Sequence, residues 1–270
     1  MKKNLFFGAL FATVLLASCD SKEEGTINGL FSVSEIQQVK FSSGNLQYTK
    51  STKTFQFAEH QWNVIGDLDQ DFDEKDTFDL FAWGSGDNPR PEELEEEEGA
   101  TFVDWGTQSI ANGGDYKWRT LTNTEWDYLI RKRPNALNLL AYGTIENTKG
   151  IILLPDAWEQ PEGVQFVSLV DTVVVTYSSM NVKNWTKETD LTPLNTYDAA
   201  TWQKMEDAGA VFLPYNMKVF SSDEQLGEGQ YWSNTDSEMN FSNNFIWPDR
   251  GCSIDAFVMG VRLVKDVVKE

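Results

Sequence analysis

The first nineteen residues indicate which part of this chain remains to fold after processing, and in which compartment it folds. Two lysines at positions 2 and 3 precede an apolar run over residues 5–16, and Leu-Ala-Ser-Cys occupies residues 16–19. A basic start, a short apolar stretch and small residues before the break are typical of a secretory signal, and the apolar run is too short to cross a bilayer comfortably. We therefore predict that residues 1–18 are a signal peptide that is removed, and that the remainder folds after export.

The cysteine that ends this segment predicts how the chain is attached. Leu-Ala-Ser-Cys resembles the lipobox of bacterial lipoproteins, which implies that Cys19 is acylated and becomes the new N-terminus. The alternative is an ordinary signal peptide that ends near a cysteine. Asp-Ser-Lys-Glu-Glu follows at residues 20–24, and its lysine with two acidic residues resembles the tag that sends some lipoproteins to the outer face of the outer membrane; a solvated tether without such a signal is the alternative. We expect a surface-exposed, outer-membrane lipoprotein with a flexible tether over residues 19–32.

The charge of the chain limits its partners. The formal net charge is −20 at pH 7, from 42 acidic and 22 basic residues. Nucleic acid is excluded as a partner, because phosphate binding needs clustered lysine and arginine. An acidic surface also repels anionic lipid headgroups, so contact with the membrane is expected through the acyl anchor alone.

Cysteine and histidine are too few for most catalytic or metal chemistry. With Cys19 acylated, Cys252 is the one other cysteine and His60 the one histidine, so we expect no internal disulfide. A Ser-His-Asp or Cys-His arrangement would have to use His60, which has no nucleophile motif around it, and zinc lacks a usual ligand set. We predict no catalytic residue, metal or cofactor. Cys252 is expected to be a small buried hydrophobe, with a reactive thiol as the alternative.

Residues 33–270 are predicted to form one domain that an acidic segment interrupts. Residues 86–99 include six glutamates, and such a run repels itself and cannot pack. Tryptophan-glycine pairs at 83–84 and 105–106 flank it, which indicates an exposed loop insertion. A second acidic loop, residues 65–76, has aspartates at alternate positions but lacks the glycine and the final glutamate of a calcium loop. A solvated loop is favoured there, and calcium binding is the alternative.

Two segments carry helix signals. Thr122 and Glu125 have capping-box spacing, and Trp126, Leu129 and Ile130 follow on one face. These residues predict an amphipathic helix that starts after Thr122.

The second helix signal begins at Asp198, which can cap residues 199–207. Trp202 and Met205 would form its buried face, and Gly209 is the expected left-handed stop. Alternating or continuous apolar stretches predict strands at residues 39–41, 46–48, 55–57, 151–154, 173–177 and 210–213. Helices and strands mix without a regular βαβ rhythm, which predicts the α+β class.

Three landmarks resemble the C-type lectin-like fold, in the variant shared by formylglycine-generating-enzyme-like domains and the variable proteins of diversity-generating retroelements. They are Trp-Arg-Thr-Leu-Thr at 118–122 with Glu125 and Trp126, Tyr-Trp-Ser at 231–233, and Gly-Val-Arg-Leu-Val at 260–264. Residues 39–48, 152–158 and 209–214 also resemble a large family of surface lipoproteins of gut bacteria. The resemblance implies an α+β, C-type lectin-like domain with small mixed and antiparallel sheets, two main helices and long irregular loops.

The resemblance does not bring an enzyme with it. Formylglycine-generating enzymes use a pair of active-site cysteines, and here Cys252 stands alone beyond the acylated residue. Calcium-dependent sugar binding in animal C-type lectins uses Glu-Pro-Asn and Trp-Asn-Asp triplets, and neither occurs in this sequence. We therefore predict no metal from the resemblance. Arg262 is interpreted as a structural residue of the last strand.

The resemblance does imply where a ligand would lie. In the variable proteins, the segment between the Tyr-Trp-Ser strand and the final strand displays side chains on one exposed face, and it corresponds here to residues 233–259. Amides supply donors and acceptors, and rings stack on sugars or apolar groups. The alternative is that the asparagines mark turns and the tryptophans belong to the core. The candidate ligand-binding residues are Trp232, Asn234, Asp236, Asn240, Asn243, Asn244, Trp247 and Arg250.

These observations favour a non-catalytic, adhesin-like surface lipoprotein that binds an extracellular glycan or protein. One alternative is an oxidoreductase of the formylglycine-generating type that uses Cys252. Another is a structural subunit of a surface assembly.

Overall fold

The structure, a computed structural model, describes residues 23–66, 75–89, 101–220, 225–235, 237–251 and 258–267. Cys19, Asp236, Cys252, the aspartates of residues 67–73 and most of the acidic segment lie outside these ranges. The strands are β1 Phe31–Ser32, β2 Gln38–Phe41, β3 Leu46–Thr49, β4 Thr54–Phe57, β5 Thr77–Phe78, β6 Leu80–Ala82, β7 Arg119–Thr120, β8 Leu140–Ile145, β9 Thr148–Leu153, β10 Val173–Val175, β11 Met180–Val182, β12 Thr196–Tyr197, β13 Val211–Pro214, β14 Met217–Phe220, β15 Gln225–Trp232, β16 Ser237–Ser242, β17 Phe245–Gly251, β18 Val258–Gly260 and β19 Leu263–Val267. The α-helices are α1 Asn123–Asp127 and α2 Ala199–Asp207, with single 3₁₀ turns at Trp105–Thr107, Ala136–Leu139 and Thr192–Leu194.

The elements belong to the α+β class, as predicted. Most strand pairs are antiparallel, and the parallel exceptions are β8 with β12 and β15 with β18. The sheet orders are β1-β2-β19-β7, β10-β11-β17-β16-β15-β18-β6 with β14 also on β15, β12-β8-β9-β13, and β4-β3-β5. The helices that the structure describes are all too short or too polar to span a membrane.

The first sheet joins the two ends of the described chain. β19 lies between β2 and β7, and its register places Val264 opposite Phe41. Ile27 and Phe31 are fully buried, and the Phe31 ring contacts the Phe41 ring edge-on at 5.0 Å. The domain therefore begins before residue 33: residues 23–32 do not behave as the predicted tether, because their apolar side chains complete the core.

The β15–β16–β17 part of the large sheet separates a core face from a polar face. Tyr231, Met239, Phe241 and Ile246 alternate along the strands and join the main hydrophobic core. Gly229 is required beside them, because a Cβ at that position would lie 2.0 Å from the Phe241 ring.

The first helix begins as its capping box predicts and then changes from an α-helix to a π-helical turn. Glu125 N–H donates to Thr122 Oγ1 at 3.1 Å, and Thr122 N–H donates to a Glu125 carboxylate oxygen at 2.8 Å. Trp126, Leu129 and Ile130 are buried, as expected. The α-helical part ends at Asp127 and continues as a π-helical turn, Tyr128–Lys132. The local cap is therefore predictable from sequence, whereas the change of helix type is not.

The second helix follows its prediction from start to stop. Asp198 accepts a hydrogen bond from Thr201 N–H at 2.8 Å, and Trp202 and Met205 are buried. Gly209 has φ +96°, the left-handed conformation that favours glycine after a helix. This helix packs its apolar face on the β12-β8-β9-β13 sheet through a cluster that includes Phe212.

The acidic segment leaves and re-enters the fold at one point. Val103 N–H donates to Gly84 O at 3.0 Å, and Gly86 N–H donates to Val103 O at 3.1 Å. The rings of Trp83 and Phe102 stand 5.0 Å apart next to this junction. These contacts bring the residues before and after the acidic segment next to each other. An insertion into a single domain is expected to have such adjacent ends.

Arg262 has the structural role that we predicted for it. Its side chain is fully buried, and one terminal nitrogen donates to Ser42 O at 2.8 Å and to Gln61 Oε1 at 2.7 Å. Burial lowers the pKa of the guanidinium to about 10. Gln61 also accepts from Phe212 N–H at 2.8 Å, so Arg262 ties the closing strand to two distant parts of the chain.

Candidate functional site

The face of β15, β16 and β17 opposite the main hydrophobic core carries polar side chains and the half-buried Trp247. Across the strands, Gln230 stands opposite Asn240, Asn240 opposite Trp247, and Glu238 opposite Arg250. The register shifts between Glu238 and Asn240, and this irregularity keeps both Trp247 and Arg250 on the same face although they are three positions apart. We call Glu228, Gln230, Glu238, Asn240, Trp247 and Arg250 the polar sheet face.

Three predicted ligand-binding residues meet on this face, at different depths. Trp247 and Arg250 are half-buried and reach solvent, whereas Asn240 is fully buried beneath them. Asn240 is therefore not displayed as we expected.

Asn243 and Asn244 lie beside the face, in the two-residue turn between β16 and β17. Tyr215 OH donates to Asn243 Oδ1 at 2.8 Å, and Ser242 OH donates to Asn244 Oδ1 at 2.6 Å. Both asparagines are half-buried and fix the hairpin turn. The alternative interpretation of asparagines as turn residues thus applies to these two positions.

Trp232 and Asn234 are not displayed on this face, although Trp232 stands opposite Glu238 on the same side of β15. Trp232 is fully buried in a second hydrophobic cluster, and its Nε1 donates to Phe81 O at 2.6 Å. The prediction of Trp232 as a ligand-binding residue is wrong for this structure, because a ligand has no access to its ring. Asn234 is half-buried in the loop after β15, where its backbone N–H donates to Leu121 O at 3.0 Å. Asp236 lies outside the described residues.

Three buried oxygens of the polar sheet face have no hydrogen-bond partner in the described chain: Gln230 Oε1, Glu238 Oε2 and Asn240 Oδ1. The amide orientations are fixed by their nitrogens, because Gln230 Nε2 donates to Glu228 Oε2 at 3.0 Å and Asn240 Nδ2 donates to the same oxygen at 3.3 Å. Asn240 Nδ2 also donates to Glu238 Oε1 at 3.4 Å. All three unpaired atoms are acceptors, and leaving such atoms buried costs about 1–3 kcal/mol each.

The carboxyl group of Glu238 is electrostatically perturbed. Its side chain is 2% exposed, and Arg250 Nη1 lies 3.1 Å from its Oε1 with a side chain 41% exposed. Burial raises the pKa of Glu238 to about 7, repulsion from Glu228 adds to this rise, and attraction to Arg250 opposes it. The Arg250 guanidinium also lies over the Trp247 ring, 5.9 Å from its centre. Perturbed groups of this kind concentrate at functional sites.

Sequence reasoning missed Glu228, Gln230 and Glu238. A period-two pattern could have found them: Glu228 and Gln230 alternate with Gly229 and Tyr231, and Glu238 precedes Met239. Such alternation is typical of strands with one apolar and one polar face. Our prediction selected mainly asparagines and tryptophans as ligand-binding residues and therefore left out these two glutamates and the glutamine.

A second hollow, of about 460 Å³, lies between the π-helical turn and the tip of the β10–β11 hairpin. Asp127 pairs there with both Arg131 and Lys132, so the charges are satisfied internally. Tyr177 is fully exposed at its edge. This hollow contains none of the predicted site residues, and its paired charges do not select a ligand.

No metal site emerges from the described residues, in which no group of three or more histidine, cysteine, aspartate or glutamate side chains could hold an ion. His60 stacks on Trp62 with ring centres 4.4 Å apart. The polar sheet face instead offers hydrogen-bond acceptors, one cation and one aromatic ring, which suits the binding of a ligand rich in polar hydrogens.

Comparison with known proteins adds no relative. A scan against models of protein families finds no match to this chain, and searches of curated proteins and of solved structures find none either.

Proposed function

We propose that this chain is a non-catalytic binding protein of the bacterial cell surface, which holds an extracellular glycan or protein on the polar sheet face. In this proposal, Cys19 carries the acyl anchor in the outer membrane and the domain after it carries the ligand. The function is adhesion or capture.

One observation carries the proposal: unpaired buried acceptors lie next to an accessible aromatic ring. Gln230, Glu238 and Asn240 each leave an oxygen without a donor, and the half-buried Trp247 stands directly opposite Asn240. A ligand with hydroxyl or amine hydrogens satisfies such acceptors, while its apolar side stacks on the ring. Because the residues lie on three paired strands, the site is already organised before binding.

We further propose that the domain has the C-type lectin-like fold. Two features support this assignment. Tyr231 and Trp232 end the long strand β15 of the large sheet, and Leu263 and Val264 open β19, which pairs with β2 and β7 in the first sheet. The capping box of Thr122 and Glu125 lies within the first landmark of the resemblance, residues 118–126.

The test is an array of glycans and surface proteins probed with the full chain and with two double variants. Trp247→Ala with Asn243→Ala removes the ring and one rim amide, and it should weaken binding about tenfold or more, since a buried aromatic anchor is worth a few kcal/mol. The matched control is Trp158→Ala with Asn138→Ala, which removes a half-buried tryptophan and an exposed asparagine far from the face.

Binding that is undiminished in the first variant would reject the polar sheet face as the site. Equal losses in both variants, together with lowered thermal stability, would attribute the effect to folding. An array without any ligand would reject the binding function.

A further inference from the structure

The polar sheet face favours a charged donor group over a neutral one. The oxygens Gln230 Oε1, Glu238 Oε2 and Asn240 Oδ1 are unpaired acceptors on adjacent positions of β15 and β16. The side chains of all three are more than nine-tenths buried, with exposed fractions of 7%, 2% and 0%. A group that completes this site must therefore bring more than one donor to neighbouring positions of the two strands.

Above about pH 7, where Glu238 is ionised, the charges of the face are not balanced either. Glu228 and Glu238 are two carboxylates, and Arg250 is the one cation that the described structure places with them. Arg250 uses one of its nitrogens on Glu238 Oε1 and leaves Glu238 Oε2 without a donor. The guanidinium is a planar group with its donors in a fixed fork, which cannot turn toward three oxygens at once.

We infer that this face binds a primary ammonium group, which displaces the Arg250 guanidinium from Glu238 and donates to the three unpaired oxygens. The inference rests on the proposed function and names the ligand group that the face selects. An ammonium is compact and carries one positive charge and three donors that rotate to suit their acceptors. A sugar hydroxyl brings one donor and no charge. Amino sugars and lysine side chains are two sources of the same group.

In this inference, movement of the Arg250 side chain gives the ligand access to the site. The unpaired oxygens are closed to solvent, whereas the Arg250 side chain is 41% exposed and is held by one ion pair and by the Trp247 ring. Rotation of this side chain uncovers Glu238 and leaves Trp247 free to contact the apolar part of the ligand. Arg250 is thus an internal competitor of the ligand.

The experiment titrates the full chain with paired probes at about pH 7.5, which ionises most of Glu238, whose pKa is about 7, and keeps much of the weakly basic amine of D-glucosamine protonated. D-Glucosamine is compared with N-acetyl-D-glucosamine, and Nα-acetyl-lysine amide with its Nε-acetylated form, by calorimetry or ligand-observed NMR. Acetylation removes the charge and all but one donor. We expect the amines to bind about tenfold or more tightly than their acetylated partners, and the stronger of the two amines identifies the source.

Two variants move binding in opposite directions. Glu238→Gln should weaken amine binding about tenfold or more, whereas Arg250→Gln should tighten it about three- to fivefold, because the competing ion pair is lost. Glu162→Gln, an exposed carboxylate on a turn, is the matched control and should change nothing. If Glu238→Gln prevents folding because residue 238 is buried, Arg250→Gln still tests the inference, because the Arg250 side chain reaches solvent.

Equal affinity for amines and acetylated probes would overturn the inference, as would amine binding that Arg250→Gln weakens. Calcium binding without amine binding would overturn it in favour of a metal site. If array ligands still depend on Trp247 and Asn243 in those cases, the proposed function stands without the ammonium.

Discussion

Replacing Glu238 by glutamine should stabilise this protein, and the gain should grow with pH. The carboxyl group is buried among strands, its Oε2 has no donor in the described chain, and its pKa is raised from 4.5 to about 7. Burial is the main cause, because it disfavours the charged form. Glu228 repels the same charge, whereas Arg250 and Asn240 stabilise it in part. Glutamine keeps the shape of the side chain without a charge that must be desolvated.

The magnitude follows from linkage between proton binding and folding. In the unfolded chain, Glu238 ionises near pH 4.5, while in the folded chain it keeps its proton until about pH 7. Between these values the folded state binds more protons, so stability falls as the pH rises. The full difference corresponds to about 3 kcal/mol of unfolding free energy at pH 8 and vanishes near pH 4.

Urea unfolding followed by tryptophan fluorescence at pH 4, 6 and 8 measures this effect. We expect Glu238→Gln to match the parent chain within about 0.5 kcal/mol at pH 4, and to exceed it by about 3 kcal/mol at pH 8. Glu162→Gln should show no such trend, because that residue is exposed. A stability difference that is the same at pH 4 and pH 8 would show that the folded carboxyl ionises normally, and would refute the reasoning.

Three further substitutions test the fold. Thr122→Ala removes the acceptor of the capping box and should lower the unfolding free energy by about 1 kcal/mol in urea, while Thr122→Ser should retain most of it; equal losses would contradict the cap. Gly229→Ala places a Cβ 2.0 Å from the Phe241 ring and should cost about 2 kcal/mol or more, whereas Gly251→Ala enters open space and should be nearly neutral. If Gly229→Ala and Gly251→Ala have the same urea midpoint, Gly229 is not closely packed against the Phe241 ring. Arg262→Met leaves buried oxygens without donors and should cost about 3 kcal/mol, and an unchanged thermal midpoint would count against its structural role.

Local signals predicted the helices well, because their causes lie within a few residues. The capping box needs only Thr122 and Glu125, and the second helix needs only Asp198 at its start and Gly209 at its end. The π-helical turn escaped prediction, since the residue pattern that we used does not distinguish α-helical from π-helical hydrogen bonding.

The candidate site could be predicted only in part, because it depends on which strands become neighbours. Asn240, Trp247 and Arg250 were identified from sequence, but their meeting depends on the register of three strands and on one irregularity within it. Position 232 holds the same residue type as position 247, and only the packing of Trp232 into the second hydrophobic cluster explains why its ring is buried while that of Trp247 reaches solvent.

The central position of β19 has a consequence for biosynthesis. Val39 and Phe41 are synthesised early, yet the strand that pairs with theirs is made last among the described elements. Until that strand arrives, the first sheet lacks its interior member, and one edge of β2 has no strand partner. A polypeptide that stops before Leu263 therefore cannot complete this sheet, and a truncated product should be a substrate for proteases or chaperones.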